Sequence, residues 1–201
     1  VSSTKEILFA RRTASSNTFE GYNFPVGYSS GQGGNCPTQD LVDAFECTDG
    51  KSISESPLYD ANDPYANRDP RLAKTVVVNG EAWPNDLAAY NSEYPTIETY
   101  VGGYHSRTGN AAGKSYATTT GYYLKKFCNP DQILRARSGV AVTTSPHGWL
   151  TFRMGGMYLN YAEALYEYFK ACGNGNAADA SGAVEYTDAE GNAQSVTVPA
   201  S

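Results

Sequence analysis

Several features are scarce or missing in this sequence of 201 residues. No run of about 18 apolar residues occurs, so no membrane-spanning helix is predicted. Basic residues are few, with 15 Lys and Arg against 21 Asp and Glu, which gives a formal net charge of −6. Because nucleic-acid binding needs a basic patch or stripe, this balance argues against a nucleic-acid partner. No signal-peptide pattern is visible and no methionine begins the chain, so both ends are expected to be cuts within a longer polypeptide.

Cysteine and histidine are also scarce, and neither occurs at metal-binding spacing. No C-x-x-C pair is present among the four cysteines Cys36, Cys47, Cys128 and Cys172, and the two histidines stand apart. A zinc site of usual spacing is therefore not predicted. Small buried thiols are the favoured interpretation. A bridge between Cys36 and Cys47 in an oxidising compartment is the alternative that the sequence leaves open.

Tyrosine is abundant, with 16 Tyr against seven Phe and two Trp. A tyrosine combines a flat apolar ring with a hydroxyl group, so it suits surfaces that are partly wet. Saccharide-binding surfaces need that combination, because a ring can stack on a pyranose face while hydroxyls exchange hydrogen bonds. Tyrosines also fill β-strands and helix interfaces, and that interpretation is expected to account for most of them.

Hydropathy and turn patterns predict helices, strands and short β-hairpins joined by irregular loops, a layout of the α+β class. Long loops are predicted at 13–36 and 84–121. The predicted elements are a strand at 5–12, a helix at 37–45, a hairpin turning at Asn79-Gly80, a strand at 121–127, a helix at 150–171 and a hairpin-like tail at 173–201.

The helix at 150–171 has the clearest pattern. Apolar side chains recur at spacings of three and four, which predicts a broad buried face that packs against more than one neighbour. These side chains belong to Met154, Met157, Tyr158, Tyr161, Ala162, Leu165 and Phe169. Gly155 and Gly156 weaken the helix, so a close backbone approach is expected there.

The segment "NDPYANRDPRL" (62–72) is dense in charge and proline. Asp69 is predicted to cap a helical turn whose first residue is Pro70, and Asn67 to help set the corner. Arg68 and Arg71 are expected to bind nearby carboxylates or carbonyls. The oxygen-bearing side chains Asp60, Asn62 and Asp63 form a weak calcium candidate. Turn formation is the favoured interpretation, so no cofactor is expected.

Two motifs that resemble catalytic loops lack the flanking elements that they need. Gly27–Gly31 matches G-x-S-x-G, with Ser29 at the centre, but no helix is predicted directly after it. Gly109–Ser115 resembles a phosphate-binding loop, with three residues between the glycines where four are required. Sequence singles out no pair of carboxylates for glycoside hydrolysis. The chain is therefore not expected to be an enzyme.

Three segments, in order, resemble one family. "PTQDLVDAFECTDGKSI", "YDANDPYANRDPRLAKTVVVNGEAW", and "GYYLKKF" with "FRMGGMYLNYAEALYEY" are similar to the SusD/RagB family of outer-membrane nutrient-binding lipoproteins. The resemblance covers about residues 37–170. Family members are longer, so residues 1–201 are expected to be a single internal and later portion of a scaffold that the resemblance implies is mostly α-helical and tetratricopeptide-like. The tail after Cys172 resembles an insertion.

The resemblance implies a location and partners. The intact protein is expected on the outer membrane at the cell surface, held by a lipid anchor that this chain lacks. It is expected to bind oligosaccharide or polysaccharide, without bond chemistry, for import through a SusC-like TonB-dependent transporter. Alternatives are a scaffold portion that docks on the transporter while the missing amino-terminal part binds ligand, and, remotely, a secreted glycosidase or esterase.

Saccharide contacts are expected in the tyrosine-rich loops that follow the charged corner. A site of this kind combines aromatic rings with a few polar groups. The predicted contacts are Trp83, Tyr90, Tyr94, Tyr100 and Tyr104 as aromatic groups, with Asn85, Asn91, His105 and Arg107 as hydrogen-bonding groups. For each of them the alternative is ordinary loop packing.

Overall fold

A computed structural model describes residues 5–171, 183–187 and 193–197. The chain packs as two compact units, and its assignment to a single portion of a SusD-like protein stays a prediction. Unit 1 comprises Val1–Arg11 and Gly148–Ser201, and unit 2 comprises Arg12–His147. Because unit 2 is contiguous in sequence, its contacts are those of one unbroken chain segment.

Unit 2 contains short elements joined by long irregular segments. Its elements are α1 (Thr18–Asn23), α2 (Gln39–Asp43), α3 (Pro70–Thr75), β2 (Val76–Val77), α4 (Leu87–Tyr90), a 3-10 turn (Lys114–Tyr116) and β3 (Tyr123–Leu124). Unit 1 contains β1 (Ile7–Arg12), β4 (Gly148–Arg153), α5 (Met154–Ala171), β5 (Ala183–Thr187) and β6 (Ala193–Thr197). The α+β layout is confirmed, but helix is scarcer than predicted. A tetratricopeptide-like scaffold stays a prediction.

The core of unit 2 consists of two clusters of buried side chains. The larger cluster contains Phe24, Val26, Tyr28, Val77, Trp83, Leu87, Ile97, Ala111, Ala117, Tyr123 and Leu134. The smaller cluster contains Val42, Leu72, Val76 and Tyr122. Successive side chains of a strand point to opposite sides, so Val76 and Val77 enter different clusters and β2 joins the two. Most members of the larger cluster come from the predicted loops, which are therefore ordered by burial.

The charged corner has the local structure that the sequence predicts. Asp69 accepts a hydrogen bond from the Arg71 backbone N–H (2.8 Å), and Pro70 is the first residue of α3. Thr38 caps α2 in the same way, through the Leu41 backbone N–H (3.2 Å). Side-chain caps satisfy amide groups that have no partner within the helix. Both short helices are thus stabilised at the end where they begin.

The turn predicted at Asn79-Gly80 forms, but the predicted pairing of the strands on either side of it is wrong. A turn is present, because the Glu81 N–H donates to the Val78 carbonyl (3.3 Å) and Gly80 has a φ of +85°. However, β2 pairs antiparallel with β3, and Val77 lies opposite Tyr123. After the turn the chain hydrogen-bonds to Ile97 instead (2.7 and 2.8 Å), which draws the next residues into the large core cluster.

The described residues of unit 1 form two two-stranded sheets and one long helix. β1 pairs with β4, which confirms the predicted strand near residue 7. The helix begins at Met154, so residues 150–153 of the predicted helix belong to β4 instead. β5 and β6 form an antiparallel hairpin, as predicted for the tail.

The predicted apolar face of α5 is largely exposed. Within that face, Tyr158 and Tyr161 have exposed fractions of 67% and 64%, and Met154, Met157 and Leu165 are half-buried. The close approach expected at the glycines is also not found among the described residues. A Cβ on Gly155 would meet only Glu6, at an ordinary 3.4 Å, and a Cβ on Gly156 would meet nothing within 4 Å. The helix is therefore correctly predicted, whereas its burial is not.

The cysteines of unit 2 are free thiols. Cys36, Cys47 and Cys128 form no disulfide, and Cys172 lies outside the described residues. Burial raises the pKa of Cys128 to about 12, so its thiol stays protonated at neutral pH. Within the described part of the chain, no helix is long and apolar enough to cross a membrane.

Candidate functional site

An open cavity of about 500 Å³ lies on unit 2. Four separate chain segments line it: residues 27–32, Tyr90, residues 112–116 and Arg135. Its lining residues are Gly27, Tyr28, Ser29, Ser30, Gly31, Gln32, Tyr90, Ala112, Gly113, Tyr116 and Arg135. Ligand pockets commonly measure about 300–1,000 Å³ and combine aromatic side chains with a few polar groups. Two smaller cavities, of about 270 and 240 Å³, do not bring two tyrosines together with a cation.

The first wall is built from the two glycine-rich motifs that resemble catalytic loops. The Gly27 N–H donates to the Ala112 carbonyl (3.3 Å), so the two loops lie side by side. Gly27 has a φ of +86°, and a Cβ there would lie 2.8 Å from the Tyr104 ring. A Cβ on Gly31 would clash with the Pro25 carbonyl oxygen. The glycines therefore serve close backbone packing in this wall.

The serine within this wall lacks the setting of a hydrolase nucleophile. The segment that follows Ser29 contains no helix before α2, which begins at Gln39. A nucleophile elbow requires a helix directly after the serine. Neither His105 nor His147 is among the residues that line the cavity.

The second wall is held by tyrosine hydroxyl groups. The Tyr90 hydroxyl donates to the Arg135 carbonyl (2.8 Å) and accepts from the Arg135 N–H at a longer distance (3.4 Å). The Tyr28 hydroxyl donates to the Gln132 carbonyl (2.9 Å), and the Tyr28 and Tyr90 rings lie 4.3 Å apart. Burial, followed by the neighbouring Tyr90, raises the pKa of Tyr28, so its hydroxyl stays protonated. The two tyrosines thereby fix the segment that presents Arg135.

Arg135 and Arg137 have different roles in this wall. Arg137 binds Asp86 (2.9 Å) and lies over the Tyr90 ring, 4.6 Å from its centroid. A cation above a ring and a paired carboxylate both fix a guanidinium. The Arg135 side chain is exposed and has no hydrogen-bond or ion-pair partner in the part of the chain that the structure describes. The cavity therefore contains one cation that is free to bind a ligand.

The predicted aromatic contacts are distributed over different environments. Trp83 is 4% exposed and packs edge-on against Phe24 (5.1 Å between ring centroids), so it presents no surface to a ligand. Tyr94 and Tyr104 stack, with centroids 4.1 Å apart and planes 7° apart. Tyr100 is 56% exposed. Of the predicted set, Tyr90 is the residue that lines the cavity.

The predicted polar contacts are also dispersed. Asn85 donates to Asp131 (2.6 Å) on the surface. Asn91 caps the end of α4, where its N–H donates to the Leu87 carbonyl (2.9 Å). Arg107 is exposed and does not line the cavity.

His105 is fully buried rather than available for contact. Its Nδ1 accepts a hydrogen bond from the Glu98 N–H (3.1 Å). Burial lowers the pKa of His105 from 6.5 to about 4, so the ring is neutral at pH 7. Its Nε2 is buried without a protein partner among the described residues. A hydrogen bond from His105 to a ligand would therefore require the core to open.

Sequence reasoning missed Tyr116 and Arg135 as well as the polar residues Ser29, Ser30 and Gln32. Tyr116 is 65% exposed and follows Gly113, which has a φ of +80°. A signal was available, because Gly, Ser and Tyr are concentrated in both motifs. No sequence pattern indicates that these loops meet each other and residue 135.

The charged corner is structural. The Arg68 guanidinium is buried and donates to the carbonyls of Pro64 (2.9 Å), Val42 (2.6 Å) and Phe45 (2.8 Å), which confirms the predicted carbonyl contacts. Arg71 binds Asp69, its predicted carboxylate partner. The hydrogen-bonding groups of this corner are thus largely used within the chain.

The calcium candidates form a turn. One oxygen of Asp60 accepts from both the backbone N–H (2.8 Å) and the side chain (3.0 Å) of Asn62, and Asp60 forms a backbone bridge with Asp63. Among the described residues, no group of three His, Cys, Asp or Glu side chains could hold a metal ion.

Comparison with known protein families assigns the chain. The model of the SusD family matches residues 5–186, and the chain belongs to that family. Its members are generally non-catalytic binding proteins, associated with glycan binding, nutrient uptake and the outer membrane at the cell surface. No curated protein and no solved structure matches the chain.

Proposed function

We propose that this chain binds a saccharide in the cavity of unit 2 and does not transform it. The observation that carries the proposal is the lining, which combines three tyrosines, two serines, an amide and a guanidinium in a member of the SusD family. Rings supply stacking surface, while hydroxyl and amide groups exchange hydrogen bonds with sugar hydroxyls.

The rigidity of the walls supports binding. Tyr90 is fixed by Tyr28, Arg137 and the Arg135 backbone, and the Gly27 loop is tied to Ala112. A site whose groups are already held in place loses less conformational entropy when ligand binds. Tyr116 is the more exposed ring, so it is the side chain that a sugar would cover most.

The cellular role follows the family. The intact protein is proposed to lie on the outer membrane, lipid-anchored, and to deliver oligosaccharide to a SusC-like TonB-dependent transporter. Tyr94, Tyr104, Asn85 and Asn91 remain proposed contacts for a longer saccharide. Tyr104 adjoins the first cavity wall, since a Cβ on Gly27 would touch its ring.

Affinity electrophoresis on a polysaccharide panel tests the proposed site. Tyr116→Ala should lower retention at least about fivefold on the polymer that binds, because stacking and ring burial are worth about 1–3 kcal/mol. Tyr100→Ala is the matched control, since Tyr100 has a similar exposed fraction outside the cavity. If Tyr100→Ala lowers retention and Tyr116→Ala does not, the saccharide site lies in the 91–107 loops instead. Incubation products should show no cleavage of the polymer.

A second candidate function concerns unit 1. Its described residues expose six large apolar side chains: Phe9, Leu150, Phe152, Tyr158, Leu159 and Tyr161. The rings of Phe9 and Phe152 lie 6.4 Å apart, and exposed apolar patches often mark interaction surfaces. This supports the proposal that unit 1 docks on the transporter. Pull-down with the SusC-like partner tests it, comparing Leu159→Ser with Asn160→Ser as an exposed polar control. Equal recovery of both variants contradicts docking through this face.

A further inference from the structure

The geometry points to a cavity that selects an acidic saccharide, one that carries a carboxylate or a sulfate, with Arg135 as the group that binds the anion. This inference rests on the proposed saccharide binding and adds the class of ligand. It requires no covalent step. Two independent features support it. The charge in the cavity lining is positive, and the Arg135 guanidinium has no hydrogen-bond or ion-pair partner among the described residues.

The charge of the cavity is opposite to that of the whole chain. The chain has six more acidic than basic side chains. The cavity lining nevertheless contains one cation, Arg135, and no Asp or Glu. The nearby carboxylate of Asp86 is paired with Arg137. An anionic ligand therefore meets an uncompensated positive charge in this cavity, whereas most of the surface would repel it.

Arg135 is fixed at its backbone and free at its guanidinium. Its N–H and carbonyl both bond the Tyr90 hydroxyl, and Leu134, which precedes it, belongs to the large core cluster. Two positions further back, Gln132 is 1% exposed and hydrogen-bonds Thr143 and Ser145. The backbone is thus held, while the side chain makes no hydrogen bond or ion pair among the described residues.

The chemistry of guanidinium favours an acid over a neutral sugar. Arginine presents paired N–H donors that match two oxygens of a carboxylate or sulfate, and such charge-assisted bonds are roughly twice as strong as neutral ones. The remaining polar groups, Ser29, Ser30 and Gln32, are neutral and suit hydroxyls. This division assigns the acidic substituent to the Arg135 side of the cavity and the hydroxyls to the 29–32 loop.

Equilibrium binding of the full chain to matched polymers tests the inference. The probes are a polygalacturonate and its carboxyl-reduced form, a sulfated galactan and its desulfated form, and a neutral glucan. The acidic member of at least one pair should bind at least about tenfold more tightly than its neutral form, since 1.4 kcal/mol is tenfold. Whichever pair discriminates identifies the anion. Higher salt should weaken that binding.

Variants locate the anion within the cavity. Arg135→Gln should remove the preference for the acidic polymer, so that the acidic polymer and its neutral form bind with similar affinity. Arg135→Lys should restore part of the preference, because it keeps the charge without the paired donors. Arg107→Gln makes the same charge change at an exposed arginine outside the lining and should leave the preference intact.

The outcomes separate this inference from the proposed function. The inference is overturned if the chain binds neutral and acidic polymers equally well. If Tyr116→Ala abolishes that binding, the proposed saccharide site still stands. An acid preference that survives Arg135→Gln, or that Arg107→Gln removes, overturns the assignment of Arg135. No binding to any polymer overturns both.

Discussion

The corner at residues 62–72 and the cavity at residues 27–32, 90, 112–116 and 135 both combine arginine with tyrosine, but they use these residues in opposite ways. In the corner, Arg68 is 7% exposed and donates to three backbone carbonyls, and Tyr59 lies under its guanidinium (5.8 Å). In the cavity, Arg135 is exposed and its guanidinium is unoccupied by any described residue.

This difference shows that density of charge does not identify a binding site. Polar groups that bond to their own chain specify the fold, because leaving them unpaired in the interior costs free energy. Polar groups that the chain leaves open can bind something else. We therefore expect corner substitutions to change stability at constant ligand affinity. Cavity substitutions should change affinity more than stability.

Arg68→Ala should have the largest effect on stability. It removes hydrogen bonds from a charged donor to Val42, Phe45 and Pro64, each worth about 1.5–3 kcal/mol, so the free energy of unfolding should fall by about 4 kcal/mol. Urea unfolding followed by circular dichroism measures the change. Arg68→Lys keeps one charged donor and should lose less. If Arg68→Ala is as stable as the wild type but binds saccharide weakly, the corner is a binding site and not a structural element.

Acidification should destabilise the cavity side through His105, whereas residues 62–72 contain no histidine. Burial lowers its pKa in the folded state from 6.5 to about 4. Between these values the unfolded chain binds a proton that the folded chain does not, so stability falls as pH drops from about 6.5 to about 4. The loss should be about 3 kcal/mol, at 1.36 kcal/mol per pKa unit.

His105→Gln is the control for this pH dependence. The glutamine amide oxygen can still accept from the Glu98 N–H, but the side chain does not titrate. The urea midpoint should be measured at pH 7, 5.5 and 4. Between pH 7 and pH 4 it should fall more for the wild type than for the variant. If the two proteins lose equal stability between pH 7 and 4, His105 is not buried as a neutral ring.

The corner was predictable from sequence because its determinants are local. Asp69 and Pro70 are adjacent, the cap spans two residues, and these preferences follow from backbone geometry alone. The helix α5 was likewise predicted from its periodicity. What periodicity could not give was the burial of that helix, because burial depends on a surface elsewhere in the chain.

The cavity was not predictable for the same physical reason. Its lining spans residues 27 to 135, and no local pattern indicates that Gly27 bonds Ala112 or that Tyr90 bonds Arg135. The predicted hairpin failed for the same reason, because its strand pairing also depends on contacts distant in sequence. Asn79-Gly80 correctly indicated a turn, but the partner of β2 was decided by packing of Tyr123 in the core. Contacts over long sequence separations thus determined the site.

A methyl group on Gly31 should affect both the fold and the site. Its Cβ would clash with the Pro25 carbonyl oxygen, and backbone atoms cannot move aside as a flexible side chain can. We expect Gly31→Ala to lower the free energy of unfolding by about 2 kcal/mol and to weaken saccharide retention, because the 27–32 wall must shift. Gly21→Ala is the matched control in the same region, since a Cβ there meets nothing within 4 Å. Equal stability of the two variants contradicts the close packing of this wall.

The smallest effect is expected for Tyr90→Phe, which removes one hydroxyl where the two walls of the cavity meet. The Tyr28 and Arg137 contacts to the ring are retained, while the bond to the Arg135 carbonyl is lost, so stability should fall by about 1 kcal/mol. Affinity for the polymer that binds should fall two- to fivefold, roughly the effect of 0.5–1 kcal/mol, because Arg135 is less firmly held. Tyr100→Phe serves as the exposed control and should change neither quantity. If Tyr90→Phe loses stability and keeps full affinity, the hydroxyl belongs with the corner's purely structural bonds, and the Arg135 backbone need not be fixed for binding.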